Sequence, residues 1–178
     1  MTITDVIGPD LDVLFCGINP GRRSGATGHH FAHPGNRFWK ALVAAGFTDR
    51  LLRPDQQAQL LDYGVGITNL VARTTVTAAE LSKEELRQGG EALADKVARY
   101  RPKAVAFLGL TAYRTAFGRP RATIGPQDER LGTAGLWVLP NPSGLQAYYG
   151  TDRIVAELDR LRAEVGRPGV GRPGAGRE

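Results

Sequence analysis

Short apolar runs bounded by Gly, Asn or Pro alternate along the chain with segments of helical spacing. The runs predict four buried strands, over Asp12–Ile18, Gly66–Val71, Ala104–Leu108 and Leu136–Leu139. Apolar residues three and four positions apart predict helices, over Gly35–Ala45, Pro54–Leu61, Ser82–Arg101, Thr111–Phe117 and Thr151–Val165. Strands separated by helices favour an α/β fold with a mainly parallel sheet and helices on both faces.

Local signals mark the longest helix and the longest loop. Ser82 and Glu85 form the S-x-x-E pattern of a capping box, which predicts where the helix begins. Pro102 disfavours helical backbone at the residue before it, so we expect the helix to end there. The segment Arg22–Arg37 predicts a long loop, and long loops in compact domains are usually functional.

The length of 178 residues fits one domain of ordinary size, and the hydrophobic share of 42% is normal for a globular protein. We expect this domain to span residues 1–165. Residues 166–178 are rich in Gly, Pro and Arg and cannot bury apolar area, so they predict a disordered tail. The tail is either an extension without a role or a weak tether to nucleic acid.

A single cysteine and a modest positive charge narrow the classes of function. Cys16 alone excludes a disulfide framework, a cysteine-rich zinc site and an iron–sulfur cluster. No apolar run is long enough to span a membrane, and the first residues lack the pattern of a signal peptide, so we expect a cytoplasmic protein. The net charge of +5 weakly indicates a polyanionic partner.

Two clusters of Gly, Asn and Pro follow the first and fourth predicted strands: G-I-N-P-G at Gly17–Gly21 and P-N-P-S-G-L at Pro140–Leu145. Ligands of open α/β sheets bind beyond the carboxyl ends of the strands, so chemistry is expected here. The first cluster is neither a dinucleotide fingerprint nor a phosphate loop. Asn19 is either a turn residue that satisfies its own backbone or a residue of a site.

The predicted loop carries three histidines and one phenylalanine. His29, His30 and His33 have no acidic residue or thiol close in sequence, so we expect them to form hydrogen bonds and not to bind a metal. Phe31 lies among polar neighbours, where it is either a core anchor or a platform for a planar ligand.

Four motifs occur along the chain in a fixed order: G-I-N-P-G, G-H-H-F-A-H-P-G-N-R-F-W-K, G-I-T-N-L-V and L-P-N-P-S-G-L. In these motifs the chain resembles the mismatch-specific uracil/thymine DNA glycosylases of the uracil-DNA glycosylase superfamily, from about Asp12 to Leu161. The resemblance implies a three-layer α/β/α sandwich with a central sheet of about four strands. It also implies hydrolysis of the N-glycosidic bond of uracil, thymine or ethenocytosine opposite guanine, after the base has been flipped out of the duplex.

The resemblance assigns roles at the base. Asn19 matches the catalytic asparagine, which holds a water because its amide takes no proton near neutral pH. The resemblance also implies a base-binding set: Ile18, Gly21, His30, Phe31, Asn69 and Asn141. In that set Phe31 stacks on the base, the backbone N–H groups near Ile18 and Phe31 stabilise the leaving base, and Asn141 donates to a base carbonyl.

A second set of residues is implied to contact DNA: Arg22, Arg23, Ser143, Gly144, Leu145 and Gln146. Ser143 and Gly144 bind phosphate, and Leu145 is the wedge that fills the gap in the base stack. Without the resemblance Leu145 is an ordinary loop leucine. None of the proposed site residues is a lysine, so a Schiff-base lyase step is not expected.

The expected partner is double-stranded DNA with a G·U or G·T mismatch, and we expect a monomer without cofactor or membrane contact. Two other functions stay open. One is a non-catalytic module of this fold that binds damaged DNA. The other is a nucleotide-binding α/β protein unrelated to DNA, although the chain lacks the phosphate-binding motifs of that class.

Overall fold

The computed structural model describes residues 2–144 and 150–166, and in it one five-stranded sheet organises the chain. Its strands are β1 (Val13–Gly17), β2 (Val65–Asn69), β3 (Ala104–Leu108), β4 (Gly125–Leu131) and β5 (Ala134–Leu139). The order across the sheet is β2-β1-β3-β5-β4, and all neighbours are parallel except β4, which is antiparallel to β5.

The prediction of about four strands was wrong by one, because β4 has no apolar run. Its sequence G-P-Q-D-E-R-L is almost entirely polar, and only Gly125 in it is buried. β4 lies at the edge of the sheet, where it pairs with β5 on one side only. Charged residues and Pro are typical of such edges because they discourage pairing with another chain.

In the described ranges, five α-helices surround the sheet: α1 (Arg22–Thr27), α2 (Phe38–Ala44), α3 (Lys83–Tyr100), α4 (Leu110–Phe117) and α5 (Thr151–Glu164). The predicted helix over Pro54–Leu61 is a 3₁₀ helix over Pro54–Tyr63. The capping box of α3 is confirmed, since the Ser82 side chain accepts a hydrogen bond from the Glu85 N–H. The helix ends at Arg101, which has φ of 49°.

The prediction that Arg22–Arg37 is loop throughout was wrong, since α1 occupies its first six residues. The sequence R-R-S-G-A-T has no apolar stripe to announce a helix. What holds α1 in place is a close approach: a Cβ at Gly25 would lie 2.5 Å from the hydroxyl oxygen of Thr74. A glycine inside the helix therefore lets it pack directly on the segment that follows β2.

Two cores lie on opposite faces of the sheet, as the alternation of side chains along β1 shows. Val13 and Phe15 pack with α2 and α5 in one core, whereas Leu14 and Cys16 pack with α3 and α4 in the other. The expected three-layer α/β/α sandwich is confirmed. Within the described residues, no helix is long and apolar enough to cross a bilayer.

Removal of the residues after Val165 should leave folding and turnover intact. The last helix, α5, ends at Glu164, and its buried side chains Ile154, Leu158 and Leu161 all remain in the shortened chain. Residues 167–178 lie outside the described part, and their disorder stays a prediction. Thermal unfolding of the truncated and full chains should give melting temperatures within about 2 °C of each other, a change below ~0.5 kcal/mol. A larger drop would show that the tail packs on the domain.

Candidate active site

A cleft of about 1010 Å³ opens at the carboxyl ends of β1, β2, β3 and β5. β1 and β3 are neighbours whose onward connections leave toward opposite sides of the sheet, which is where open α/β sheets bind ligands. All the predicted site residues that the structure describes line it: Ile18, Asn19, Gly21, Arg22, Arg23, His30, Phe31, Asn69, Asn141, Ser143 and Gly144. Leu145 and Gln146 lie outside the described residues.

The Asn19 side chain is held in one orientation from across the cleft. Its Nδ2 donates to the backbone carbonyl of Arg73 and to the hydroxyl oxygen of Thr75, both at 2.8 Å, with a longer contact of 3.4 Å to the carbonyl of Pro20. A carbonyl only accepts hydrogen bonds, so the nitrogen must face Arg73. Asn19 Oδ1 accepts no hydrogen bond from any residue in the described ranges. Asn19 is thus more than a turn residue that satisfies its own backbone.

The segment that holds Asn19 is itself tied to α3. The Thr75 hydroxyl donates to the carbonyl of Thr77 at 2.8 Å, and the Arg73 guanidinium donates to the two carboxylate oxygens of Glu85 at 2.9 and 3.2 Å. The hydrogen bonds from Arg73 and from the Ser82 N–H lower the pKa of Glu85 to about 2. Arg73 and Thr75 were missed by sequence reasoning, although R-T-T follows β2 closely, at the predicted site edge.

His30 and Asn69 meet beside the end of β1. His30 is buried, with Nε2 at 2.8 Å from the carbonyl oxygen of Thr4 and Nδ1 at 3.5 Å from Asn69 Nδ2. Burial lowers the pKa of His30, so the imidazole is neutral at pH 7. A Cβ at Gly17 would lie 2.7 Å from Asn69 Oδ1 and 3.3 Å from the Phe31 ring. Only glycine lets these two side chains approach the strand this closely.

Phe31 combines the two roles that its sequence left open. It packs against the core through Phe38, with ring centroids 4.3 Å apart, and it also lines the cleft. Its φ of 51° lies in the left-handed region, which is uncommon for an aromatic residue and is often found at functional sites. In the described part of the chain, the backbone N–H groups of Ile18 and Phe31 donate to no protein acceptor.

The loop after β5 is braced by the segment before α2. The Arg37 guanidinium donates to the carbonyls of Pro142 at 3.4 Å and Ser143 at 3.1 Å, and its backbone N–H donates to Pro142 at 2.9 Å. Asn141 Oδ1 accepts from the Ser143 N–H at 3.0 Å, which turns its Nδ2 the other way. A Cβ at Gly144 would lie 2.9 Å from the Gly35 carbonyl oxygen. Sequence reasoning missed Arg37.

Around the cleft the arginine side chains are exposed, whereas two of the imidazoles are held by hydrogen bonds within the protein. Arg22 and Arg23 are exposed in the first turn of α1. His33 uses Nδ1 to accept from the Gly35 N–H at 3.0 Å, whereas His30 is bound to Thr4. No three metal-binding side chains of His, Cys, Asp or Glu come together in residues 2–144 and 150–166.

Comparison with known proteins supports the fold and assigns the family. The chain is similar to the solution NMR structure of a candidate uracil DNA glycosylase from Methanosarcina acetivorans, with a TM-score of 0.62 and 16% sequence identity over 90% of this chain and 97% of that one. At this identity the likeness shows the fold. The model of the uracil DNA glycosylase superfamily matches residues 4–162, nearly the whole described chain. The chain therefore belongs to the uracil DNA glycosylase superfamily.

Proposed function

We propose that this protein is a monofunctional DNA glycosylase that flips out uracil paired with guanine and hydrolyses its N-glycosidic bond. We propose thymine and ethenocytosine opposite guanine as its further substrates. The observation that carries it is the Asn19 amide, which lines the cleft with its nitrogen bound to protein and its oxygen left to accept from a water. An amide oxygen held in this way positions the water without taking its proton.

The proposed reaction begins with departure of the base. The C1′–N bond breaks first, the electron pair leaves with the base, and the sugar becomes oxocarbenium-like. Backbone N–H groups of Ile18 and Phe31 and the amide of Asn141 stabilise the charge on the base, while Phe31 stacks on its ring. The water held by Asn19 then adds to C1′ and gives its proton to solvent or to the base. Without a general base the chemistry is slow, because such help is typically worth ~10²–10⁴-fold.

Contacts with DNA surround the cleft in this proposal. Arg22 and Arg23 lie at its mouth, where they bind phosphates. Ser143 and Gly144 bind phosphate from the loop braced by Arg37. Leu145 and Gln146, next in sequence, are the proposed wedge and its neighbour. A mispaired base costs less to extrude than a paired one, which favours G·U over A·U.

The deciding experiment is abasic-site formation on a duplex that holds one G·U pair. We expect strand cleavage only after treatment with hot alkali, because a monofunctional enzyme leaves the backbone intact. Parallel duplexes with A·U, G·T and ethenocytosine rank the substrates. Binding to the G·U duplex without any abasic site would overturn the proposal in favour of a non-catalytic module. A titration that shows no salt-dependent binding to DNA would favour a nucleotide-binding protein.

Replacement of Thr75 by valine should slow base release about fivefold, because the Asn19 amide loses one of its two short acceptors. A net hydrogen bond is worth ~0.5–1.5 kcal/mol, which corresponds to roughly two- to twelvefold in rate. Thr75→Ser keeps the hydroxyl and serves as the matched control, with a rate close to wild type. Single-turnover rates on the G·U duplex measure both variants. Equal rates for valine and serine would show that the hydroxyl plays no part in holding Asn19.

A further inference from the structure

We propose that His30 is a positioning residue: the backbone carbonyl of Thr4 sets its tautomer, and His30 in turn sets the orientation of the Asn69 amide. The inference rests on the proposed function, since it concerns how the same cleft reads a base. It brings the N-terminal segment, residues 3–6, into base selection, although only Ile3 of that segment lines the cleft.

The hydrogen bonds from Thr4 through His30 to Asn69 form what we call the relay. Donor and acceptor chemistry fixes the direction of each of them. The Thr4 carbonyl only accepts, so His30 Nε2, at 2.8 Å, must carry the ring proton. In the neutral ring Nδ1 is then an acceptor, and Asn69 must turn its Nδ2 toward it, at 3.5 Å. Asn69 Oδ1 consequently lies on the side of Gly17 and Phe31. The amide is therefore oriented before any base arrives.

The segment that supplies the Thr4 carbonyl is anchored by the two residues that follow Thr4. Val6 pairs with Ile67 at the edge of the sheet through two backbone hydrogen bonds of 2.9 and 2.8 Å. Asp5 binds Lys96 Nζ at 2.5 Å and accepts from the Thr68 hydroxyl at 2.8 Å. These contacts give the carbonyl a defined position against His30.

The oriented amide matches the edge of an imide base. Uracil and thymine present one N–H between two carbonyls, so Asn69 Oδ1 accepts from the N–H and its second amide hydrogen serves a carbonyl. A protonated His30 would donate from both nitrogens and would force Asn69 to turn its oxygen toward the ring. The base N–H would then face a donor. The charged groups that act on His30 are the Asp5 carboxylate, which favours protonation, and the Lys96 ammonium, which opposes it.

The consequence is a loss of uracil release in acid that depends on His30. Because burial holds the His30 pKa below its ordinary value, the neutral form persists at pH 7 and is lost only as the pH falls through that lowered pKa. As the pH falls through that lowered pKa, we expect the single-turnover rate on the G·U duplex to fall by up to about tenfold. Affinity for a duplex with a baseless sugar analogue should stay level, since it contains no base to read.

Variants separate the relay from a merely structural histidine. His30→Gln offers a donor and an acceptor but does not titrate, so its rate should show no acid loss. His30→Leu removes both links, so its rate should stay about tenfold below the neutral wild-type rate and should not change with pH. His29→Gln, on the neighbouring histidine, should keep the wild-type profile. An acid loss that persists in His30→Gln would overturn the proposal, as would an unchanged rate in His30→Leu.

A measurement without DNA keeps this inference distinct from the proposed function. Long-range ¹H–¹⁵N spectra of protein labelled at histidine nitrogens should show His30 with a proton on Nε2 and none on Nδ1. Asp5→Ala removes the side-chain anchor next to Thr4 and should give His30 a mixture of tautomers, whereas Asp62→Ala, at an exposed site, should not. A proton on Nδ1 in the wild type would overturn the relay even if the enzyme cleaves uracil. The expected spectra with no cleavage would instead overturn only the proposed function.

Discussion

Asn19→Ala should lower uracil release on the G·U duplex by about a hundredfold or more while the protein still folds and binds the mismatch. The side chain makes its hydrogen bonds to Pro20 and to the segment after β2, and none to residues of the two hydrophobic cores, so its removal leaves the sheet intact. Misplacement of a reacting group by about 1 Å can cost ~10²-fold, and this variant lacks the group that we propose to hold the water. Single-turnover cleavage and binding to a baseless-sugar duplex measure the two effects separately.

The informative companion variant is Asn19→Asp. A carboxylate is a stronger base than an amide, but one of its oxygens would face the Arg73 carbonyl at the 2.8 Å where Nδ2 now donates. Two acceptors at this distance repel, so the side chain must turn away or take up a proton. We therefore expect Asn19→Asp to stay well below wild type. Near-wild-type cleavage by Asn19→Ala would remove this residue from the mechanism.

Asn69→Lys and Asn69→Ala should each slow uracil release by roughly ten- to a hundredfold. An amide accepts from the imide N–H and donates to a carbonyl, whereas lysine only donates and alanine does neither. An unpaired buried donor costs ~1–3 kcal/mol, which is about one to two decades in rate when felt in the transition state. Single-turnover rates on the G·U duplex give the size of the loss.

The contradicting outcome for Asn69 is specific. Asn69 is the last residue of β2. If it only terminates the strand, its variants should cleave uracil at the wild-type rate and have a lower melting temperature. Melting temperatures measured beside the rates tell the two apart. Folded variants with wild-type rates would show that Asn69 is a structural residue. Another group in the cleft would then have to accept the hydrogen bond from the base N–H.

The limits of sequence reasoning follow from where the physical signal lies. Buried strands announce themselves by apolar runs, and β3 was predicted at its observed bounds of Ala104–Leu108. The polar edge strand β4 carries no such run. Asn19 is recognisable within its motif, but Arg73 and Thr75 hold it from 54 and 56 residues away, and no local pattern states that contact. Partners that meet only through the fold had to come from the structure.

Glu85 makes two hydrogen-bonding contacts that connect the first turn of α3 to the cleft. It accepts the Ser82 N–H that caps α3, and it binds the Arg73 guanidinium, whose own carbonyl holds Asn19. Fraying of the first turn of α3 should therefore loosen the loop that orients the Asn19 amide. Such local opening costs less free energy than global unfolding and is visible as amide hydrogen exchange. On warming, we therefore expect activity to fade while the sheet is still folded, so that one helix terminus limits the temperature range of the proposed reaction.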